Sequence, residues 1–256
     1  MMLITSKDNP RLKTIRRLTQ DSQAYRKLGL VWLEGDHLCR AALAQGVKPE
    51  LAIFTESTWQ ASEFEWSQCA LEVWVLPDDL FAGLSSLESP AKMGFLLTLP
   101  QPPELNPTVA TVVLDRLQDA GNVGSILRSA SAFGFKQIVA IKGTAGLWSP
   151  KVLRAGMGAH FGLNLIESAN PEDLKALLVP LMGTDVHEGS YLHELAQHGK
   201  LTQKCAWVMG HEGQGVSPEL MARVDQKVRI AQPGGEESLN VATAAAICLH
   251  ASATSK

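Results

Sequence analysis

Five short apolar segments in the second half of the chain constrain the fold more than any other feature of the sequence. They are TVVLD (residues 111–115), KQIVAI (136–141), LMGTD (181–185), CAWVMG (205–210) and KVRI (227–230). Helical or loop sequence separates each segment from the next. Apolar runs connected in this way are typical of strands buried on both faces of a parallel sheet. The sequence therefore predicts an α/β fold with a mainly parallel sheet.

Glycine-rich and polar clusters follow three of these predicted strands. DRLQDAGNVGS follows the first, GHEGQG follows the fourth, and AQPGGEESLN follows the fifth. Ligands of open parallel sheets bind in the loops beyond the carboxyl ends of the strands. We therefore expect the three clusters to meet at one functional site.

A proline-rich segment divides the chain. PQPPELNP, residues 100–107, has four prolines in eight positions, which favours an extended linker over a helix or a paired strand. We place the linker at residues 101–108, with a small N-terminal α/β domain (1–100) before it and the parallel-sheet domain (109–256) after it. The evidence for the first domain is three strand-like segments and one helix-like segment: LVWLEG (30–35), LAIFTE (51–56), EVWVLP (72–77) and HLCRAALAQG.

Several classes of protein are disfavoured by the sequence. The start, MMLITSKDNPRLK, has charged residues where a secretory signal needs an apolar run, and no later stretch approaches the ~20 apolar residues of a membrane span. The four cysteines lie far apart without a C-x-x-C spacing, which argues against a zinc site or a disulfide framework. We expect a cytoplasmic protein with no membrane contact and no metal.

The N-terminal segment is basic although the whole chain has a net charge of −3. Residues 1–27 contain seven basic side chains and two acidic ones. Such a segment can contact the phosphates of a nucleic acid, and a solvated helix face explains it equally well. The candidate RNA-binding residues are Arg11, Lys13, Arg16 and Arg17.

The first glycine-containing cluster continues as GNVGSILRSASAFGF, residues 121–135. We expect Asn122 to cap a helix whose apolar stripe is buried, with Arg128 off that stripe. The glycine spacing is neither that of a dinucleotide site nor that of a phosphate loop, which disfavours a nucleotide-dependent metabolic enzyme. A helix N-terminus with an arginine nearby suits an anion, and a plain helix cap with an unrelated surface arginine is the alternative.

The second cluster lies in VMGHEGQGVSPEL, residues 208–220. Gly210, Gly213 and Gly215 follow a strand and allow the backbone to approach a ligand closely, while Glu212 occupies the bend. A zinc protease motif needs a second histidine at position 215, where the chain has glycine, so a metal site is not expected. A turn before a helix capped by Ser217 would account for SPEL but not for the glycines.

The third cluster leads into VRIAQPGGEESLNVATAAAICLH, residues 228–250. Ser238 and Asn240 precede a helix rich in small residues, which can pack closely against its neighbours. These side chains could form the polar rim of a pocket, although helix capping alone also explains them.

Together, and in this order, the three clusters resemble the three motifs of the TrmH/SpoU family of ribose methyltransferases, within the SPOUT superfamily. GNVGSILRSASAFG resembles the first motif, GHEGQGVS the second, and Ile230 through SLNVATAAAI the third. KVLRAGMGAHF (151–161) resembles the connecting segment. NPRLKTIRRL and LVWLEGDHL are similar to the substrate-binding N-terminal domain of the family, so the resemblance covers nearly the whole chain.

The resemblance implies an RNA methyltransferase that moves a methyl group from S-adenosylmethionine to a ribose 2′-hydroxyl of ribosomal or transfer RNA. It also implies a deep trefoil knot, which general rules of chain topology would not predict, and a homodimer. The residues it assigns to cofactor binding are Thr184, Gly210, Gly213, Ile230, Ser238 and Leu239. A non-catalytic RNA-binding or ribosome-assembly factor that kept the fold is the alternative.

The resemblance marks Arg128 as the catalytic residue, with Asn122, Glu212, Ser238 and Asn240 arranging the pocket. Because a guanidinium stays protonated far above neutral pH, we prefer electrostatic stabilisation by Arg128 to general-base catalysis. The chain departs from the family pattern at three positions: Ala120 replaces a common proline, His211 a frequent asparagine and Gly156 a frequent serine. The AQPGG loop also differs from the usual methionine-containing version.

Overall fold

A computed structural model describes residues 1–234 and 238–255. The chain forms two compact units. The first contains Met1–Gln101 and Trp148–Phe161, and the second contains Pro102–Leu147 and the residues from Gly162 onward. The division after Gln101 falls in the proline-rich segment. The segment Trp148–Phe161 belongs to the first unit, although the boundary drawn from the sequence assigns it to the second domain; that boundary stays a prediction.

The first unit is a small α/β structure, built on a five-stranded sheet within the described residues. Its elements up to the linker are, in chain order, β1 (Met2–Leu3), α1 (Pro10–Gln20), α2 (Ala24–Leu28), β2 (Leu30–Glu34), α3 (Asp36–Ala44), β3 (Leu51–Thr55), α4 (Glu56–Trp66), β4 (Glu72–Leu76), α5 (Asp78–Ala82) and β5 (Met93–Thr98). The strand order is β1-β4-β3-β5-β2, and β5 runs antiparallel to both of its neighbours. Helix α1 buries Leu12, Ile15 and Leu18, so its basic residues lie on the other faces.

The second half of the chain supplies a seven-stranded sheet among the described residues. The elements are β6 (Thr111–Leu114), α6 (Ala120–Ala132), β7 (Gln137–Ile141), α7 (Pro150–Gly156), β8 (Asn164–Ala169), β9 (Leu181–Thr184), β10 (Ser190–Tyr191), α8 (Leu192–Gln197), β11 (Ala206–Met209), α9 (Pro218–Met221), β12 (Gln226–Arg229) and α10 (Val241–Thr254). Short 3-10 helices span Ala159–Gly162 and Pro171–Ala176. Helix α7 packs with α1 and β2 in the first unit.

The sheet of the second unit is parallel throughout, in the order β10-β12-β9-β11-β6-β7-β8. The five predicted strands are confirmed, each within one or two residues of the predicted bounds. The side chains of β6, β7 and β11 are buried throughout, with Val112, Val113, Ile138 and Val208 fully inaccessible, whereas β12 buries only Val228. Burial on both faces explains why these strands are continuous apolar runs rather than alternating patterns.

This strand order brings the predicted clusters together. Strands β12, β9, β11 and β6 are consecutive neighbours and parallel, so the loops that follow them leave from the same edge of the sheet. Part of the third cluster, residues 235–237, lies outside the described residues. The trefoil knot depends on how the chain is threaded, which the strand order does not define, and it stays a prediction.

Candidate active site

The N-terminus of α6 is the first component of the site. Helix α6 begins at Ala120, and its N-cap is Asp119, whose Oδ1 accepts a hydrogen bond from the N–H of Asn122 at 2.7 Å. The predicted N-cap, Asn122, is therefore wrong: it is the third residue of the helix. Aspartate and asparagine cap helices about equally well, and the earlier of the two residues starts the helix. The side chain of Asn122 is thereby free for other contacts.

Glu212 is the second component, and it belongs to a tight turn after β11. The turn is closed by reciprocal backbone hydrogen bonds between His211 and Gly215. The Glu212 carboxylate accepts from the N–H groups of Asp119 (3.1 Å) and Gln118 (3.3 Å) and from the side-chain amide of Asn122 (3.4 Å). It thus lies against the positive end of α6, where negative charge is favoured.

The ionisation of Glu212 follows from these contacts. Partial burial raises the pKa of Glu212, but hydrogen bonds from its own backbone, from the two neighbouring N–H groups and from Asn122 outweigh that effect. The pKa is therefore lowered from its usual value. Glu212 is an anion at neutral pH and acts as a fixed acceptor rather than as a proton donor.

Asn240 completes the arrangement. Its Oδ1 caps α10 by accepting from the N–H groups of Ala242 (2.9 Å) and Thr243 (3.2 Å), as the sequence predicted for the start of this helix. Its Nδ2 donates to Oδ1 of Asn122 at 2.9 Å. The side chains of Glu212, Asn122 and Asn240 therefore form one hydrogen-bonded series, here called the polar chain, which joins all three sequence clusters.

A cavity of about 580 Å³ lies beside the polar chain. Its lining includes every predicted cofactor-binding residue together with two members of the polar chain: Thr184, Gly210, Glu212, Gly213, Ile230, Ser238, Leu239 and Asn240. Its volume is within the range of about 300–1,000 Å³ that is usual for ligand sites. Val186, Val228 and Val241 add apolar surface.

Two features of the cavity suit a bound ligand. A Cβ atom on Gly210 would lie 2.1 Å from backbone atoms of Gly215 and Val216, so two backbone segments meet there without side chains between them. Oε1 of Gln232, a lining residue, is shielded from solvent and has no hydrogen-bond partner among the described residues. A buried acceptor without a donor is unfavourable, and a ligand donor would relieve it. The cavity therefore fits a ligand with both an apolar ring and hydrogen-bonding groups.

Arg128 is not brought into this arrangement within one copy of the chain. It lies on the exposed face of α6, off the buried stripe as predicted. Among the described residues it has no ion pair or hydrogen bond, and it does not line the cavity. Its guanidinium is therefore available to an external anion.

Sequence reasoning missed two residues that shape the site. Asp115 follows β6 and is 1 % exposed; its Oδ2 accepts from the N–H of Ser217 at 2.6 Å. Arg116 pairs with Oδ1 of Asp115 at 3.0 Å and donates to Oε1 of Gln214 at 3.2 Å. Together they attach the turn that carries Glu212 to the end of β6. The signal was the aspartate at the end of an apolar run, since aspartate is rarely buried unless it is paired.

Arg116 also has an unusual backbone conformation, with φ of 61°. Positive φ is uncommon for residues other than glycine, and such strain is concentrated at functional sites. The backbone N–H of Arg116 is bound to Oγ1 of Thr144 at 3.1 Å. The strained conformation directs the side chain of Arg116 to Gln214, next to the cavity.

The candidate RNA-binding residues of α1 are mostly engaged within the first unit. Arg11 pairs with Glu72 at 2.9 Å, and Lys13 pairs with Asp8 at 3.0 Å. Arg16 donates to two backbone carbonyl oxygens, at 3.0 and 3.2 Å. Arg17 has no such partner among the described residues.

Other kinds of site are absent within the described residues. No group of histidine, cysteine, aspartate and glutamate side chains there could hold a metal ion. No helix in the described part of the chain is both long and apolar enough to cross a membrane. All four cysteines are free, and burial raises the pKa of Cys69 and Cys205 to about 11, so neither is a reactive thiolate at neutral pH.

The chain matches two known families in sequence. Residues 110–250 match the SpoU rRNA Methylase family, and residues 9–94 match the MRM3-like substrate binding domain. The 23S rRNA (guanosine(2553)-2′-O)-methyltransferase RlmP of Bacillus subtilis (strain 168) is 29% identical over 254 residues, which is 98% of each chain. These matches confirm the resemblance that the motifs indicated.

Solved structures give the same result. A protein from Porphyromonas gingivalis assigned to the TrmH family has a TM-score of 0.83 and 29% identity, covering 96% of this chain and 97% of the other. An rRNA methyltransferase from Sinorhizobium meliloti, solved with bound AdoMet, has a TM-score of 0.81 and 26% identity, covering 98% and 96%. The similarity thus extends over both units of the chain.

Proposed function

The chain belongs to the SpoU rRNA Methylase family, and on this premise we propose that it transfers a methyl group from S-adenosylmethionine to a ribose 2′-hydroxyl of ribosomal RNA. The observation that carries the proposal is the polar chain, which joins the three motifs beside a cavity of ligand size. The Bacillus subtilis relative is named for this reaction on 23S rRNA. That name favours ribosomal over transfer RNA, which the sequence left open.

The cavity residues fit S-adenosylmethionine, whose sulfonium supplies an electrophilic methyl group. In this proposal Val228, Ile230 and Leu239 would supply the apolar surface for the adenine ring, and the backbone at Thr184 and Gly210 would hold the adenosine. The orphaned Oε1 of Gln232 offers an acceptor to a donor on the ligand. Gly213 and Ser238 complete the set of lining residues that we assign to the cofactor.

Arg128 acts on the RNA in this proposal. The 2′-oxygen must gain negative character as it attacks the methyl group, and a guanidinium bound to it and to the neighbouring phosphate would stabilise that charge. Arg128 suits this role because it is exposed and unpaired within the described residues. The polar chain, with Ser238, fixes the loops around the reacting groups, and Glu212 serves as an acceptor within it rather than as a base.

We also propose that two copies associate through the second unit. Ile247 on α10 is 38% exposed, on a helix otherwise rich in small residues that allow close packing. Arg128 does not line the cavity of its own chain in the described region, so a second copy could bring it to the methyl donor. Sedimentation should show a dimer at micromolar concentration, and an active, stable monomer would contradict this.

The compartment that we propose is the cytoplasm. The Bacillus subtilis relative, which matches the chain over nearly its whole length, is bacterial, and bacterial ribosomes are assembled in the cytoplasm.

We propose that helix α1 of the first unit contacts the RNA. The contact is made through Arg17 and the other basic residues of that helix.

The test is a transfer assay with the purified protein, labelled S-adenosylmethionine and ribosomal RNA from cells that lack the protein. We expect label at a ribose, recovered after alkaline hydrolysis as a resistant dinucleotide, because a 2′-O-methyl group blocks cleavage of the next phosphodiester. Label on a base would show that the reaction class is wrong. Binding of both cofactor and RNA without transfer would favour the non-catalytic RNA-binding alternative.

A further inference from the structure

The loop Asp185–Gly189, which connects β9 to β10, forms one wall of the cavity. Asp185, Val186 and His187 are lining residues, and Val186 is 51% exposed. Oδ1 of Asp185 accepts from the N–H groups of His187 (2.7 Å) and Glu188 (3.0 Å). The loop therefore satisfies two of its backbone donors with its own first side chain.

Two carbonyl groups of this loop are held by one residue of another element. Arg229, the last residue of β12, donates from Nε to the carbonyl oxygen of Gly189 at 3.1 Å and from Nη1 to that of His187 at 3.2 Å. Its guanidinium carbon lies 4.3 Å from the centre of the Tyr191 ring, which restricts its position further. A planar guanidinium can bind two acceptors at once, which a lysine ammonium does less well.

Both ends of the loop lie directly against β12. The N–H of Asp185 donates to the carbonyl of Val228 at 3.0 Å. At the other end Gly189 has φ of 106°, and a Cβ atom there would lie 2.4 Å from the carbonyl oxygen of Lys227. Val186 and His187 lie between these fixed points, and the hydrogen bonds from Arg229 go to the carbonyl groups of His187 and Gly189.

We infer that Arg229 is a positioning residue for the methyl donor: it holds the loop Asp185–Gly189 in the conformation that lines the cavity. Arg229 does not itself line the cavity in the described part of the chain. The inference rests on the proposed function. It extends that function to a residue that is not part of the polar chain. When Arg229 is replaced, water molecules donate hydrogen bonds to the two carbonyl groups instead, and the loop samples other conformations. Apparent affinity then falls in proportion to the fraction of molecules whose loop is competent to bind.

The experiment is calorimetry on the full chain with S-adenosylhomocysteine, which binds like the methyl donor but cannot react. Arg229→Met removes both donors and keeps an unbranched apolar stem, so the dissociation constant should rise about 10-fold, equivalent to about 1.4 kcal/mol. Arg229→Lys keeps the positive charge near Tyr191 but cannot bind both carbonyl groups as a planar guanidinium does. Its dissociation constant should lie between those of the wild type and Arg229→Met. An unchanged dissociation constant in both variants would overturn the inference.

Lys227→Met is the matched control. Lys227 also lies on β12 and also contacts the loop, through an ion pair with Glu188 at 2.7 Å. Both side chains are well exposed, 38% and 68%, so the pair is expected to contribute little. The dissociation constant should stay within about twofold of the wild-type value. An effect as large as that of Arg229→Met would show that any disturbance of β12 weakens binding, which contradicts a specific role for Arg229.

Two further readouts distinguish positioning from general stabilisation. The turnover rate at saturating S-adenosylmethionine should remain near the wild-type value in Arg229→Met while KM for the cofactor rises. Amide hydrogen exchange of His187 and Glu188 should be faster in this variant, with the strands of the sheet unchanged. Lower turnover with unchanged cofactor affinity would overturn the inference. If the wild-type protein does not bind S-adenosylhomocysteine, the proposed function itself fails and the inference fails with it.

Discussion

The two units use their polar side chains in different ways. In the first unit, the basic residues of α1 each bind a different partner within that unit: Arg11 pairs with Glu72, Lys13 with Asp8, and Arg16 with backbone carbonyls. In the second unit, side chains up to 118 positions apart in sequence converge on the polar chain. A cluster of like charge in sequence therefore predicts a shared surface poorly, whereas ordered motifs that follow parallel strands predict a shared site well.

The largest expected effect tests Arg128, a motif residue that belongs neither to the polar chain nor to the lining of the cavity. Arg128→Ala should lower the methyl-transfer rate at least about 100-fold, because loss of a donor to a developing oxyanion has effects of this size. Affinity for S-adenosylmethionine should be unchanged, since Arg128 does not line the cavity within the described residues. Lys136→Ala is the control, because Lys136 is an exposed cation just before β7, at the opposite edge of the sheet. A variant that keeps more than about a tenth of the wild-type rate would contradict the assignment of Arg128.

The next effect, at Asn240, tests whether the polar chain of the second unit contributes to the reaction or only to the stability of the fold. Asn240→Ala removes the cap of α10 and the bond to Asn122, and should lower both the melting temperature, by a few degrees, and the transfer rate. Asn240→Asp keeps the capping oxygen but places an oxygen against Oδ1 of Asn122. It should retain the melting temperature of the wild type and lose about 3- to 10-fold in rate.

Thermal melts and single-turnover rates measured on the same preparations separate the two roles of Asn240. Equal rates for the wild type and Asn240→Asp would show that the polar chain only holds the fold together. The polar contacts of the second unit would then be structural, as those of α1 in the first unit are.

A smaller effect is expected from the basic face of α1. Replacing Arg11, Lys13, Arg16 and Arg17 together with neutral residues should weaken RNA binding and lower its salt dependence, by about 0.7–0.9 in log K against log salt for each phosphate that the protein no longer binds. Because Arg17 alone has no partner among the described residues, Arg17→Gln should account for most of that change. Arg11→Gln is the paired comparison, since it removes a cation already engaged by Glu72.

RNA affinity measured between low and moderate salt tests this prediction. If the quadruple variant keeps both its affinity and its salt dependence, α1 is a solvated helix face and the RNA binds elsewhere. If Arg11→Gln matches Arg17→Gln, intramolecular pairing does not determine which cations of the first unit reach RNA. Cofactor affinity should be unchanged in all of these variants.

The smallest expected effect is a pH dependence that belongs to the second unit. Partial burial raises the pKa of Glu212, but its hydrogen bonds hold that pKa below the ordinary value of 4.5. A carboxylate with a lowered pKa stabilises the fold above its unfolded-state pKa, and this contribution disappears as the pH falls through its folded-state pKa. The wild type should therefore melt slightly higher than Glu212→Gln at pH 5–8, with a difference that shrinks below pH 4.5. A constant difference down to pH 3 would contradict this account.

Much of the second unit could be predicted from sequence, because buried parallel strands are continuous apolar runs. The strand Asn164–Ala169 was missed, since NLIESA mixes polar and apolar residues at the edge of the sheet. The capping role of Asp119 was also missed, because Asn122 three positions later is an equally suitable residue. These errors are local, and they did not affect the placement of the three clusters.

The engagement of the basic residues could not be predicted, for a different physical reason. Glu72, the partner of Arg11, is 61 positions away in sequence, so only the folded first unit brings the two together. The same holds for Arg229, whose acceptors on the cavity loop lie 40 and 42 positions earlier. Local patterns identify which groups are able to bind, while tertiary structure decides which of them are already occupied.

The close approach at Gly210 has a consequence for how the sequence can diverge. Where the cavity wall is peptide backbone, most substitutions at neighbouring positions leave the ligand-facing atoms unchanged. The side chains at those positions can therefore change during evolution while the ligand stays the same. The positions that cannot drift are those with no room for any side chain, and Gly210 is one, with backbone atoms 2.1 Å from where a Cβ would lie. In a saturation library selected for function, Gly210 should therefore be nearly invariant. Related proteins would then keep such glycines after most of the surrounding sequence has diverged.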